Sequence, residues 1–301
     1  MDIAMIGLGK MGANMARRLL AGGHRVIGFD PAEGARRALV AAGGEAVETL
    51  EAAVAALAPP RAVWIMVPAG APTDQTLERL EPLLAAGDAI VDGGNSYYRD
   101  TLRRAATAAA RGLHYVDSGT SGGVWGLTEG YSLMIGGDPA AVERLRPIFE
   151  TLAPAPDRGW GRVGPSGAGH FTKMVHNGIE YGLMEAYAEG FSILQHKREF
   201  DLDLHQVAEI WRHGSVVRSW LLDLTANALA GNPTLAGIAP VVADSGEGRW
   251  TVAEAIELGV PAFVIAQSLL ERLRSRDTDS FSDKLLAAMR NQFGGHAIQR
   301  E

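Results

Sequence analysis

Asp2-Ile3-Ala4-Met5-Ile6-Gly7-Leu8-Gly9-Lys10-Met11-Gly12 is the stretch that decides the fold class. Five residues of strand character run straight into a Gly-x-Gly-x-x-Gly pattern, and Ala13 to Leu20 continues as a helix. Gly22-Gly23 ends that helix, and Arg25-Val26-Ile27-Gly28-Phe29 reads as a second strand closed by Asp30, 18 residues after Gly12. A dinucleotide site gives each position a reason. Gly7 permits the tight turn, Gly9 lets backbone approach a pyrophosphate, and Gly12 lets helix and strand pack closely. The open N–H groups at the helix start then face the phosphates. Gly7, Leu8, Gly9, Lys10, Met11 and Gly12 are therefore expected cofactor contacts, against the plainer reading of a glycine turn between packed elements. Asp30 is expected to accept hydrogen bonds from the adenosine ribose and to repel a 2′-phosphate. The next residues are Pro31, Ala32 and Glu33, with no arginine among them, so NAD is expected over NADP. The alternative for Asp30 is a cap on a helix beginning at Pro31.

Outward from this unit the alternation continues. A helix over about 32–42 and a strand near Glu45–Val47 are followed by strands at Ala62–Val67, Ala89–Asp92 and Leu113–Asp117. Helices near 73–85 and 98–111 separate them, and a strand near Tyr131–Ile135 precedes a helix at 139–152. Strands alternating with helices predict a Rossmann-type, doubly wound parallel sheet covered on both faces. Proline and glycine crowd Pro154–Gly169, a boundary signal. Beyond it the spacing predicts helices over about 169–196, 203–213, 216–230, 251–258, 261–275 and 280–292. The expected organisation is an α/β NAD-binding domain at 1–164 and an all-α domain for substrate binding and oligomerisation at 165–301.

The composition excludes several classes. The chain has 301 residues, 47% of them hydrophobic, enough for a full core in two domains. Cysteine is absent, which removes disulfides, thiolate nucleophiles and cysteine zinc sites. Thirty-five acidic against 28 basic residues give a net charge of −7, a field that disfavours nucleic acid. No apolar run reaches about 18 residues and Met1-Asp2-Ile3 has no basic flank, so neither membrane span nor signal peptide is expected. A soluble cytoplasmic protein is the expectation.

The segment Gly167 to Tyr181 is the most informative for chemistry. Lys173, His176, Asn177, Glu180 and Tyr181 fall at i, i+3, i+4, i+7 and i+8, an arc of about 140° on a helix. Met174, Val175, Gly178 and Ile179 fill the other side, and Leu183, Met184, Ala186 and Tyr187 extend the apolar character, so a buried helix is expected. Solvated faces favour Lys, Glu, Arg and Gln; His, Asn and Tyr together suggest shaped hydrogen bonding. An amine and a carboxylate two turns apart are then candidates for acid–base work.

This segment resembles the signature of the 6-phosphogluconate dehydrogenases, within the wider β-hydroxyacid dehydrogenase superfamily. Met66-Val67-Pro68-Ala69-Gly70, Val91-Asp92-Gly93-Gly94-Asn95-Ser96, Asp117 through Gly123, and Arg290-Asn291-Gln292-Phe293-Gly294-Gly295-His296 resemble the same family along nearly the whole chain. The length is similar to the short, often NAD-preferring type. The resemblance implies oxidation and decarboxylation of 6-phospho-D-gluconate to ribulose 5-phosphate and CO2 without metal, a step of the pentose phosphate pathway and of gluconate utilisation. It implies that Lys173 takes the C3 hydroxyl proton, a role that needs a neutral amine. Glu180 would protonate C1 of the enediol, a role that needs a neutral carboxyl. Asn177 and His176 would hold sugar hydroxyls, and Ser121-Gly122-Gly123 would clamp the carboxylate end, where a plain glycine turn is the alternative. Asn95 would lie between nicotinamide and substrate, and Val67, Pro68 and Ala69 would line the cofactor. Tyr181 and Arg272 match phosphate ligands of the family. Arg290 and His296 match a pair contributed by a neighbouring subunit, which implies a homo-oligomer, dimer or tetramer. For Arg272, Arg274 and Arg276 a solvated basic helix end is the alternative.

Two departures from the family pattern stand out. Pro68 replaces a frequent lysine, and the loop Asp244-Ser245-Gly246-Glu247-Gly248-Arg249-Trp250 lacks the lysines of the long members. The rival functions are another β-hydroxyacid dehydrogenase, of 3-hydroxyisobutyrate or semialdehyde type, and a non-catalytic NAD-binding regulator. The first would have no need of Glu180 or of the phosphate set. The second would have no need of Lys173 with Glu180.

Overall fold

The computed structural model describes residues 1–299. They divide into two compact units, with the division between His176 and Asn177. The first holds one eight-stranded sheet: β1 (Asp2–Ile6), β2 (Arg25–Phe29), β3 (Glu45–Val47), β4 (Ala62–Ile65), β5 (Ala89–Asp92), β6 (His114–Ser121), β7 (Ser132–Gly136) and β8 (Trp160–Gly164). Its helices are α1 (Lys10–Ala21), α2 (Glu33–Ala41), α3 (Leu50–Ala55), α4 (Ala71–Leu80), α5 (Tyr98–Ala110), α6 (Gly126–Glu129), α7 (Pro139–Arg144) and α8 (Arg146–Leu152). The spatial order is β3-β2-β1-β4-β5-β6-β7-β8, with a switch point between β1 and β4. In open α/β sheets ligands bind outside the carboxyl ends of the strands at such a point.

The strands are apolar without alternation because both faces of the sheet are covered. Ile3 and Met5 of β1 enter one core cluster with Trp64, Val91 and Phe149. Ala4 and Ile6 enter the other with Ile27, Val63, Ile65 and Ile90. Each fully buried side chain of this size stabilises by about 1.5–3 kcal/mol.

The sheet departs from the all-parallel expectation at one edge. β6 and β7 pair antiparallel, Asp117 opposite Gly136 and Ser121 opposite Ser132. Their connection contains only α6 and a single turn of 3-10 helix, Gly123–Trp125, too little for a crossover to a parallel neighbour. β8 lies within the glycine- and proline-rich stretch read as a boundary, and pairs parallel with β7. Three of its five residues are glycine or tryptophan and none is fully buried, so no strand pattern showed.

α9 (Ala168–His196) runs for 29 residues, matching the long helix expected, and the division between the units falls within it. The second unit continues with α10 (Leu204–Arg212), α11 (Trp220–Gly231), α12 (Glu247–Glu257), α13 (Phe263–Arg274) and α14 (Phe281–Gly294). Asp203, Ser219 and Ser280 cap α10, α11 and α14 with side-chain oxygens. A small cluster of Phe191, Ala208, Leu222, Ala226 and Leu229 forms its core.

Candidate active site

The turn after β1 is built by glycines for two different reasons. Gly7 has φ +95°, and a Cβ there would lie 2.5 Å from the Met66 carbonyl oxygen. A Cβ on Gly12 would run into the Gly7 carbonyl, so these two are demanded by packing of helix on strand. Gly9 differs: a Cβ there meets nothing within 4 Å. Protein packing does not explain that glycine, whereas a ligand laid against the backbone does. The start of α1 has no side-chain cap, leaving its first N–H groups for such a ligand. Lys10 is exposed, Met11 half-buried, and Leu8 is buried in the core, so Leu8 offers backbone only.

Asp30 follows β2 and accepts from the amide of Leu8 (2.8 Å) and of Ala32 (2.8 Å). The carboxylate thus ties the second strand end to the glycine turn. Helix α2 begins at Glu33 with Ala32 as its cap residue, so Asp30 is no N-cap. After β4, Val67 is half-buried while Pro68 and Ala69 are exposed, and Thr73 Oγ1 donates to the Pro68 carbonyl (3.0 Å).

Behind Asn95 lies a buried charge network that the sequence reading did not single out. Asp92, fully buried at the end of β5, accepts from the Gly94 amide (3.1 Å), Ser96 Oγ (2.9 Å) and the Tyr115 hydroxyl (2.8 Å). Burial, then the neighbouring Asp92 charge, push the Tyr115 hydroxyl well above its usual range. Arg104 of α5 donates to Asp74 (2.8 Å), Ser96 Oγ (3.1 Å) and the Gly70 carbonyl (3.2 Å), and lies 3.5 Å from Asp92. One arginine therefore holds the loops after β4 and β5. Asn95 itself is exposed between Gly94 and buried Ser96.

Asp117, beside Asp92 in the sheet register, is the anchor of α9. Its carboxylate accepts from the amides of Gly167 (2.7 Å) and His170 (2.8 Å), the open donors at a helix start. His170 Nδ1 is 2.7 Å from Thr101 Oγ1 in the same buried corner. A lone acid directly after apolar strand residues, at Val91-Asp92 and at Val116-Asp117, was the available signal for both anchors. Ser121 ends β6, and Gly122 and Gly123 follow it with φ +127° and +51°, a left-handed turn that favours glycine. Lys173 is half-buried one turn into α9, with Nζ 3.5 Å from His176 Nδ1.

In the second unit Asn177 donates to Glu247 Oε1 (3.1 Å), a carboxylate only 2% exposed. Glu247 sits in the loop given no role from sequence. Glu180 is half-buried. Tyr181 is 5% exposed, its hydroxyl accepts from the Ser245 amide (3.2 Å), and the Arg272 guanidinium carbon lies 3.6 Å from its ring centroid. Arg272 also donates to the Ala243 carbonyl (2.9 Å). Arg249 and Arg276 converge on Asp244, and Arg249 first, then Arg276, holds that carboxyl below its usual range. Arg272 is thus packed rather than solvated, and Arg276 is paired, while Arg274 pairs with Asp283 on the surface. Arg290 and His296 are exposed, and no hydrogen bond among the described residues joins Arg290 to Tyr181 or Arg272.

The expectation of a wholly buried α9 is corrected. Met174 and Gly178 are covered, Gly178 so closely by Thr251 that a side chain would not fit, yet Ile179, Leu183 and Met184 are 53%, 47% and 40% exposed.

Residues 2–161 match the NAD binding domain of 6-phosphogluconate dehydrogenase, and residues 169–283 match the 6-phosphogluconate dehydrogenase C-terminal domain. The chain is 44% identical to an NAD(+)-dependent, decarboxylating 6-phosphogluconate dehydrogenase of Haloferax volcanii, over 100% of this chain and 99% of that protein. It is 37% identical to an NADP(+)-dependent, decarboxylating 6-phosphogluconate dehydrogenase of Bacillus subtilis, covering 91% of this chain and 61% of that one. Among solved structures, 6-phosphogluconate dehydrogenase of Plasmodium falciparum superposes with a TM-score of 0.85 at 28% identity, over 100% of this chain and 66% of that chain. With the same nucleotide fold, a long helix carrying the polar stripe and matches over both parts of its length, the chain belongs to the 6-phosphogluconate dehydrogenase family.

Proposed function

We propose that the protein oxidises and decarboxylates 6-phospho-D-gluconate to D-ribulose 5-phosphate and CO2 with reduction of NAD, in the cytoplasm, as a step of the pentose phosphate pathway. The observation that carries this reading is Lys173, held one turn into a helix whose start is clamped by Asp117. Gly7 to Gly12, Asp30, Val67 to Ala69 and Asn95 hold the dinucleotide. When bound, it supplies the acceptor for the C3 hydride. Lys173 takes the C3 hydroxyl proton as that hydride leaves, and afterwards donates a hydrogen bond to the C3 ketone oxygen. The ketone lies β to the carboxylate, so loss of CO2 leaves an enediol. Glu180 then delivers a proton to its C1. Asn177 and His176 hold sugar hydroxyls, and Ser121-Gly122-Gly123 binds the carboxylate end through backbone N–H groups. Tyr181 and Arg272, with Arg290 and His296 of a second copy, hold the phosphate, and no metal takes part.

The division of labour follows residues 1–164 for the cofactor and 165–301 for substrate and assembly. Support for a homo-oligomer comes from the second unit, where Val216, Phe263 and Phe281 are 99%, 82% and 75% exposed. Support for NAD comes from Asp30, whose charge opposes a 2′-phosphate. The test is to follow NADH formation with 6-phosphogluconate, trapping CO2, with NADP in parallel. NADH with stoichiometric CO2 is expected. A folded protein that binds NAD but reduces neither cofactor would overturn the reading.

A further inference from the structure

Six residues beyond Asp30, Arg36 turns back to the end of β2. Its Nη1 donates to the carbonyl of Asp30 (2.7 Å) and to that of Pro31 (3.0 Å). The guanidinium is half-buried and fixed by two acceptors, while its Nε and Nη2 make no hydrogen bond among the described residues. Its neighbour Arg37 is different, lying 3.6 Å from Glu33 in a surface pair. Arg36 has no carboxylate within ion-pair distance among the described residues. A cation with open donors is thus anchored to the backbone of Asp30.

A nearby arginine is what accommodates a 2′-phosphate in dinucleotide folds, and a planar fork suits that anion. Resting on the reading of Asp30 as the ribose acceptor, we propose that Arg36 is a second specificity residue. It forms a subsite for a phosphate on the adenosine 2′ position, and the Asp30 carboxylate masks that subsite. Cofactor preference is then a balance between two charges at one corner, and removing the acid alone shifts it. Nothing has to be built in, because two carbonyls already hold the arginine in place.

The test is calorimetric titration of the full chain with 5′-ADP and with 2′,5′-ADP, ligands that need neither nicotinamide nor sugar substrate. Four proteins are compared: wild type, Asp30→Ser, Arg36→Gln and the double variant. Asp30→Ser should bind 2′,5′-ADP at least tenfold tighter than wild type, and adding Arg36→Gln should cancel that gain. Arg36→Gln alone should leave 5′-ADP affinity within about threefold. Asp30→Asn, closer in shape, should show the same direction if the serine variant folds poorly. A double variant that keeps the full gain would overturn the role of Arg36 while leaving the dinucleotide reading intact. Failure of wild type to bind 5′-ADP at all would overturn both.

Discussion

Gly119 stands against Lys173 so closely that a Cβ on the glycine would lie 2.5 Å from the lysine Cβ, and as near to the Gly169 carbonyl oxygen. Strand β6 and the first turn of α9 therefore meet at a distance only glycine allows, with Asp117 two residues earlier holding the helix start. The glycine is buried and lies in a strand, where flexibility has no use. Its function is to set the distance of Lys173 from the sheet.

Gly119→Ala should push that turn outward and displace the lysine amine. A misplacement of about 1 Å can cost about 100-fold in rate. A fall in kcat of about 10- to 100-fold is expected, with NAD affinity within about twofold of wild type. Steady-state kinetics with a parallel binding titration checks both.

Lys173→Met should abolish NADH formation while NAD still binds. Glu180→Gln should slow the overall reaction, and in a trapped single turnover CO2 should appear before ribulose 5-phosphate. Undiminished turnover in either variant would remove that residue from the mechanism.

Arg272→Ala removes the cation stacked on Tyr181. A hydrogen bond to a charged group contributes about 1.5–3 kcal/mol, so KM for 6-phosphogluconate should rise about 10- to 100-fold. Affinity for NAD should not move. A KM unchanged in this variant would return Arg272 to a packing role.

Arg104→Met leaves Asp92 buried without its cation and frees the loops held through Gly70 and Ser96. Loss of one partner from a buried pair costs about 3 kcal/mol or more. Urea unfolding should show that loss, and Arg104→Lys should recover part of it. Tighter or unchanged stability in Arg104→Met would show that the network contributes nothing net.

Asp244 joins Arg249 and Arg276, the former through two hydrogen bonds of 2.9 and 3.1 Å. Its carboxyl is held below the usual value, mainly by Arg249, so the native pKa is lower than the unfolded one. The stabilisation is complete above the unfolded value of 3.8 and drains away as pH falls through the lower native value. Asp244→Asn should lower Tm by about 2–4 °C at pH 7. The gap to wild type should close below about pH 3.8, measured by thermal melts across pH.

The sequence alone determined the nucleotide fold and the identity of the polar stripe. Glycine spacing after an apolar strand, an acid at the end of the next strand, and residues at i, i+3, i+4, i+7 and i+8 are local patterns, and local patterns follow from backbone geometry. The long helix from Ala168 to His196 was legible for the same reason. What sequence could not show is whatever depends on residues far apart meeting. Asp117 reaching Gly167 and His170, Arg104 spanning Gly70 to Asp92, and Glu247 meeting Asn177 each join segments tens of residues apart. The turn of Arg36 back onto Asp30 and Pro31 escaped for a smaller reason, since a long side chain in the first turn of α2 reaches back past the helix start. The antiparallel run of β7 and the exposure of Ile179, Leu183 and Met184 likewise depend on what lies beside them in space. Hydrogen bonds and packing are satisfied by neighbours in three dimensions, and only the folded chain decides which neighbours those are.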